Sequence, residues 1–200
     1  MELYSALYAL MKHRVITFLL VSLVIFSSVD VHLLWARDRN PKIENIIVTS
    51  SDGNLLLSAE IVDSFTQAML EDLQKGIPLQ FVYSIQLVRK GNNWFDTSLS
   101  VAEITHTLVY LPEKGEYEFS ASNQTEKVRT TSLAEAQRLM NDLPVARVGD
   151  LSQLVTDQLH AIHLRAVMKK GMLPWGLDRF VSIKSIGGVK TDWRTIEFRY

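Results

Sequence analysis

Apolar positions recur with two different periods along this chain, and the change between them is sharpest from Ser64 to Arg89. Phe65, Ala68, Met69 and Leu73 fall at helical spacing while Glu71, Asp72 and Lys75 lie off that stripe, so the segment predicts an amphipathic helix with one face to bury. Ser64-Phe65-Thr66-Gln67 has the capping-box pattern: the serine oxygen takes an orphan amide of the first turn and the glutamine reaches back to the cap's own N–H. At the other end Gly76 supplies a left-handed stop, Lys75 suits the negative helix end, and Pro78 forces Ile77 into extended geometry. The period then drops to two. Leu79, Phe81, Tyr83, Ile85 and Leu87 alternate with Gln80, Ser84 and Gln86, as in a strand with one buried face and one wetter face. The helix stripe and this strand face can cover each other.

Similar patterns set the remaining elements. Ile43 to Ser50 is rich in β-branched residues, and Ser51-Asp52-Gly53-Asn54 predicts a hairpin whose second strand buries Leu55, Leu57, Ala59 and Ile61. Gly91-Asn92-Asn93 makes a turn into a long extended run, Trp94 to Leu111. Leu99 and Val101 there sit on odd positions and Ala102, Ile104, His106, Leu108 and Tyr110 on even ones, which predicts a bulge near Val101-Ala102. Short strands follow around Tyr117 and Phe119 and at Lys127-Val128-Arg129. Ser132-Leu133-Ala134-Glu135 is a second capping box, and Leu133, Ala136, Met140 and Leu143 form a second amphipathic stripe that Pro144 ends. Leu151, Leu154, Val155 and Leu159 fit a short helix, whereas Ile162, Leu164, Ala166 and Met168 alternate as a strand. Leu173-Pro174-Trp175 opens a loop, Phe180 to Ile186 suits either state, Gly187-Gly188 breaks it, and Thr195 to Tyr200 close the chain as a strand. The expected fold class is α+β: an antiparallel meander sheet of consecutive strands with two or three amphipathic helices packed on it, forming a single domain over residues 43–200.

The first forty residues differ in kind. Lys12-His13-Arg14 precedes Val15 to Phe26, an apolar run interrupted by Thr17 and Ser22. This is the order of a basic n-region and an h-region. Met11 stands directly before the basic trio and is an alternative start. Residues 1–36 are therefore expected to be a signal peptide, with Leu34-Trp35-Ala36 as its cleavage candidate, or a signal anchor that puts Asp30 and His32 in or near lipid. Residues 37–42 make a polar linker. No later apolar run returns the chain across a membrane, so the folded part is expected in the periplasm, released or anchored through residues 15–34.

Composition narrows the function classes. Two hundred residues with 47% hydrophobic side chains supply one ordinary core plus a targeting segment. The net charge of −1, spread evenly, offers no basic stripe for phosphates, so no nucleic-acid partner is expected. With no cysteine, disulfides, thiolate metal sites and cysteine nucleophiles are all excluded.

Candidate chemistry is sparse. His160 and His163, with Asp157 beside them, would share one face of a helix as the start of a metal site, but on a strand they point to opposite faces, and the strand is the preferred reading. His106, on the Ile104/Leu108 face, reads as a partly buried, hydrogen-bonded histidine. Asp63, Glu71 and Asp72 read as a helix start and a solvated helix face, Asn123-Gln124-Thr125 as a turn, and Trp94, Trp175 and Trp193 as plugs at the edge of a core. No nucleophile elbow or phosphate loop is present. No catalytic, cofactor-binding or metal residues are assigned, and no cofactor is expected.

Several of these positions together resemble a known family. A helix ending in Gly76-Ile77-Pro78-Leu79 before a strand with Phe81 and Arg89, a tryptophan opening the next strand (Trp94), Tyr110 late in it, the Ser132-x-x-Glu135-Ala136 helix and a late Leu173-Pro174 are similar to a bacterial family of small exported proteins of unknown function. The resemblance spans Ile43 to Leu177. It implies a signal or anchor, an envelope-facing domain and, in some cases, a neighbouring gene for a nitrogen-regulation-type sensor kinase; it brings no catalytic residues. The expected function is a non-enzymatic envelope module that binds an envelope protein partner or senses a condition. The alternative is a periplasmic carrier of a lipid or other apolar small molecule.

Overall fold

The computed structural model describes residues 40–91, 95–170 and 189–200. The expected signal or anchor, the turn residues Asn92-Asn93, Trp94, the Leu173-Pro174-Trp175 loop and the segment from Phe180 to Gly188 lie outside the described residues. Among the described residues no helix is long and apolar enough to cross a membrane.

The domain opens with the expected hairpin, β1 (Lys42–Ser51) and β2 (Asn54–Val62). Its turn holds Asp52 and Gly53 at φ 50° and 75°, the paired positive values that an Asp-Gly turn provides. A register shift between Glu44 and Ile47, with Asn45 at φ 50°, leaves Ile43 buried and Ile47 exposed. The first helix, α1, is Gln67–Gln74, and its cap is Thr66, whose Oγ1 accepts from the Met69 amide at 3.2 Å. The expected Ser64 cap is thus corrected by two residues. Ser64 is buried, and its hydroxyl donates instead to Asn141 Oδ1, so a tertiary partner has outcompeted the local one. Phe65, outside the helix, still packs on Phe81 with ring centroids 5.3 Å apart. The stop at Gly76 is as expected: at φ 80° its amide bonds Leu73 O at 2.9 Å, and the Ile77 amide bonds Asp72 O at 3.0 Å, which closes both bonds of a Schellman motif.

The strands do not form one meander. β3 (Leu79–Arg89), β4 (Thr97–Leu111), β5 (Glu116–Ala121) and β6 (Val128–Thr130) do run consecutively, but β8 (Leu159–Lys170) returns to pair with the free side of β3. β10 (Arg194–Arg199) adds outside β8, and the two-residue β9 (Val189–Lys190) also pairs with β8. Among the described residues the result is a seven-stranded antiparallel sheet, beside a separate three-stranded sheet in which β7 (Asp142–Asp150) completes the order β1-β2-β7. β7 has no counterpart in the sequence expectation. It follows directly on α2 (Leu133–Asn141), where Pro144 reads as the helix terminator. Pro144 lies instead in an edge strand, beside a register irregularity, where its missing N–H removes no ladder bond. The helix expected near Leu151 is only the 3₁₀ turn Leu151–Gln153. The bulge in β4 also moves: Leu87 pairs with Ser100 and Val88 with Ser98, so the extra residue is Leu99. That places Leu99 against the core and turns Val101 outward.

α2 is capped as expected by Ser132, which accepts from the Glu135 amide at 3.3 Å. Glu135 does not close the box; it accepts from Thr130 Oγ1 at 2.6 Å, and that oxygen accepts the Ser132 N–H at 3.0 Å. One core joins the pieces. Leu55, Leu57 and Ile61 of β2, Leu143 and Val148 of β7, Met69 and Leu73 of α1, Ala136 and Met140 of α2, and the apolar odd positions of β3 belong to a single buried cluster. The coarse α+β, antiparallel expectation holds, with two α-helices among the described residues.

Candidate functional site

The three described histidines singled out in the sequence have separate surroundings. His106 is fully buried on the core face of β4. Its Nδ1 donates to Met140 O at 3.2 Å, and its ring lies 4.9 Å from Tyr83 and 5.1 Å from Phe119. The Tyr83 hydroxyl lies 2.9 Å from both Met140 O and Asn141 O. Together these bonds tie the end of α2 to the middle of the large sheet. His106 Nε2 is buried without a partner among the described residues. Burial holds the imidazole below its ordinary pKa, opposed in part by the Met140 bond, and burial holds the Tyr83 phenol above its own, with Asp142 adding to the shift. The hydrogen bond is as the sequence leads one to expect, but burial is complete where partial burial was expected.

His160 and His163 lie on β8 and face opposite sides, as the strand reading requires. His160 is buried, stacked on Phe198 at 5.6 Å, with Nδ1 donating to Gln158 O at 3.1 Å and Nε2 accepting the Val155 amide at 3.4 Å. Both nitrogens are used structurally. Among the described residues no group of three or more His, Asp or Glu is placed to hold a metal ion. Glu71 lies exposed on α1 and accepts from Gln67 at 3.4 Å; Asp63 precedes that helix at φ 55°; Asp72 commits its carbonyl to the helix stop; and Asn123 is exposed in the turn after β5.

His163 belongs to a different setting, the outer face of the seven-stranded sheet. Register places it between Gln86 of β3 and Thr195 of β10, and sets Arg165 beside Ser84. His163 Nδ1 is 2.9 Å from Thr195 Oγ1. The Arg165 guanidinium sits 4.5 Å from the centre of the Trp193 ring, and that ring meets His163 edge-on at 6.5 Å. Trp193 is positioned by Thr191, which is buried, accepts from Ala166 N through Oγ1 at 3.0 Å and donates to Ala166 O through its own amide at 2.9 Å, and so extends the β9 pairing. Trp193 is 43% exposed, so it does not plug a core as expected. Arg165 has its Nε buried without a partner among the described residues. Ser84 lies 3.4 Å from Glu103 across β4. At the end of the same sheet Asp96 pairs with Lys90 at 2.7 Å. That hydrogen bond holds the Asp96 carboxyl below its ordinary pKa, helped by the Gly91 amide and His163, and the Lys90 amine above its own.

A family model described as "Domain of unknown function (DUF4390)" matches residues 38–197. The chain belongs to the DUF4390 family. The resemblance to a family of unknown function is thereby met, and the DUF4390 region takes in both sheets, both helices and the outer-face cluster. A search of curated proteins finds no match for this DUF4390 chain, and neither does a search of solved structures. The sequence signal for the cluster was present: His163 and Arg165 alternate with the apolar Ile162 and Leu164, which sets both on the wetter side of a strand. Their meeting with Trp193 depends on β10 pairing with β8 across a chain reversal, which no local pattern encodes.

Proposed function

We propose that this DUF4390 protein is an exported, envelope-facing and non-enzymatic module that holds a protein partner against the outer face of its seven-stranded sheet. The observation that carries the reading is the Arg165–Trp193 stack, half-exposed beside His163 and Thr195. Tryptophan and arginine dominate the energetic centres of protein interfaces, because a pre-stacked pair offers a broad apolar surface and a hydrogen-bonding fork with little further loss of entropy. The basic and then apolar order of residues from Lys12 to Phe26 supports the location. The carrier reading draws less support, since the core face of the large sheet is filled by Leu79, Phe81, Tyr83, Ile85 and Leu87, all fully buried.

A phosphatase reporter that works only after export, fused behind Tyr200, is expected to be active, and carbonate washing of membranes separates a released from an anchored form. An inactive reporter on an intact cytosolic protein would end the envelope reading. For the binding face, a photo-crosslinking residue at Thr195 should capture one defined envelope protein, and Arg165→Ala or Trp193→Ala should abolish that adduct while Lys114→Ala keeps it. Equal adducts from all three variants would remove the face from the proposal; bound lipid in native mass spectra would favour the carrier.

A further inference from the structure

At one end of the large sheet the strands stop around an open cleft of about 780 Å³, whose walls include Arg89, Lys90, Thr97, Asp157, Gln158 and Arg199. We infer that this cleft binds a small oxyanion, a phosphate- or carboxylate-bearing molecule, on the guanidinium of Arg89. Arg89 is the last residue of β3 and continues the buried row of Ile85 and Leu87, with Thr97 opposite on β4 and His160 on β8. Arg89, at the end of a core-facing row, is partly withdrawn from solvent, and among the described residues it makes no ion pair. Its planar fork suits a carboxylate or phosphate in two parallel bonds.

The lining is also unbalanced in hydrogen-bonding type. Among the described lining residues, Arg89, Lys90, Arg199, Thr97 and Gln158 bring donors and Asp157 brings a carboxylate, with the Asp96 carboxylate at the rim on Lys90 and the Gly91 amide. Two of these donors are partly engaged, since Lys90 bonds Asp96 at 2.7 Å and Arg199 bonds Asp157 O at 3.2 Å. These bonds orient the cations without filling the cleft. Arg89 and Arg199 stand on strands separated only by β8, so their backbones are roughly 10 Å apart. Arg199 pairs with Leu159 and so starts from the other face of the sheet than Arg89. It is the last residue of β10, however, and its guanidinium turns over the sheet's end to Asp157 O, into the same cleft. Asp157 is fixed by its backbone, with its amide on Tyr200 O at 2.8 Å, and its charge limits how anionic a ligand can be. This site is separate from the Arg165–Trp193 face and does not depend on the partner reading.

The test is a titration of the full chain with sodium phosphate and, separately, sodium malonate, at ionic strength held constant with chloride, read by the amide signals of Gly91, Thr97 and Gln158. Saturable shifts confined to these amides are expected, and whichever anion saturates at lower concentration identifies the preferred group. Arg89→Gln should weaken binding by about tenfold or more, the usual effect of losing a charged hydrogen bond. Arg199→Gln should weaken it as well, and Asp157→Asn, a residue type that also tolerates the φ of 63° held there, should tighten it. Non-saturating shifts with both anions, or equal affinities in the parent and both arginine variants, would overturn the inference.

Discussion

Acidification below the ordinary histidine pKa of 6.5 should cost this fold stability, and His106 is one source of the loss. Its folded pKa lies under that value because burial disfavours the charged ring. The unfolded chain therefore takes up the proton first: the contribution is complete above about 6.5 and declines as pH falls from there through the lowered folded value. Tyr83, packed on the ring, stays neutral and offers no counter-charge. His106→Phe removes the titration, while Met140 O keeps the Tyr83 hydroxyl as a donor. Denaturant midpoints measured between about pH 7.5 and 5 should fall less steeply in the variant than in the parent; equal slopes would show that His106 does not titrate in this range. The burial of His106 was legible, because it shares the parity of Ile104 and Leu108. Its carbonyl partner on α2 was not, because that contact depends on where a distant helix ends. Ser64 failed for the same reason: a serine before a helix start reads as a cap, and nothing local shows that Asn141 will claim its hydroxyl.

The α1 stop and the α1 docking each make a prediction. Gly76 holds φ 80° with open space where a Cβ would stand, so Gly76→Ala meets no clash but places an L-residue in the left-handed region, at about 1–2 kcal/mol. A thermal melt indistinguishable from the parent would show that the turn can relax. Phe65→Ala removes the ring packed on Phe81. Because Phe65 is half-buried, the expected loss is about 2 kcal/mol, below the range for a fully buried phenylalanine; an unchanged unfolding midpoint would mean that the contact contributes nothing. Both features were legible from a helical stripe, a glycine and a proline. β7 was hidden by the opposite circumstance, since Pro144 stops helices in most settings and only its place at a sheet edge makes it compatible with a strand.

Two sheets meet closely at Gly149. A Cβ there would stand 3.1 Å from Leu87 Cδ2, 3.0 Å from Gln153 Oε1 and 3.4 Å from Ser100 Cβ. Gly149→Ala should therefore force β7 away from the large sheet and cost about 1–3 kcal/mol, read as a lowered denaturant midpoint; a stabilised variant would show slack at this contact. Strand content and facing were legible from alternation throughout. The division into two sheets was not, because pairing partners are set by tertiary closure and alternation says only which side of a strand is wet. The same closure bears on the order of events during folding. β2 waits for β7 and β3 waits for β8, so neither sheet is complete until the last third of the chain is available. Long-range pairings of this kind slow folding to roughly the millisecond-to-second regime. Until β7 and β8 arrive, β2 and β3 each carry an open edge, and those two edges are the surfaces a chaperone would have to shield on the nascent chain.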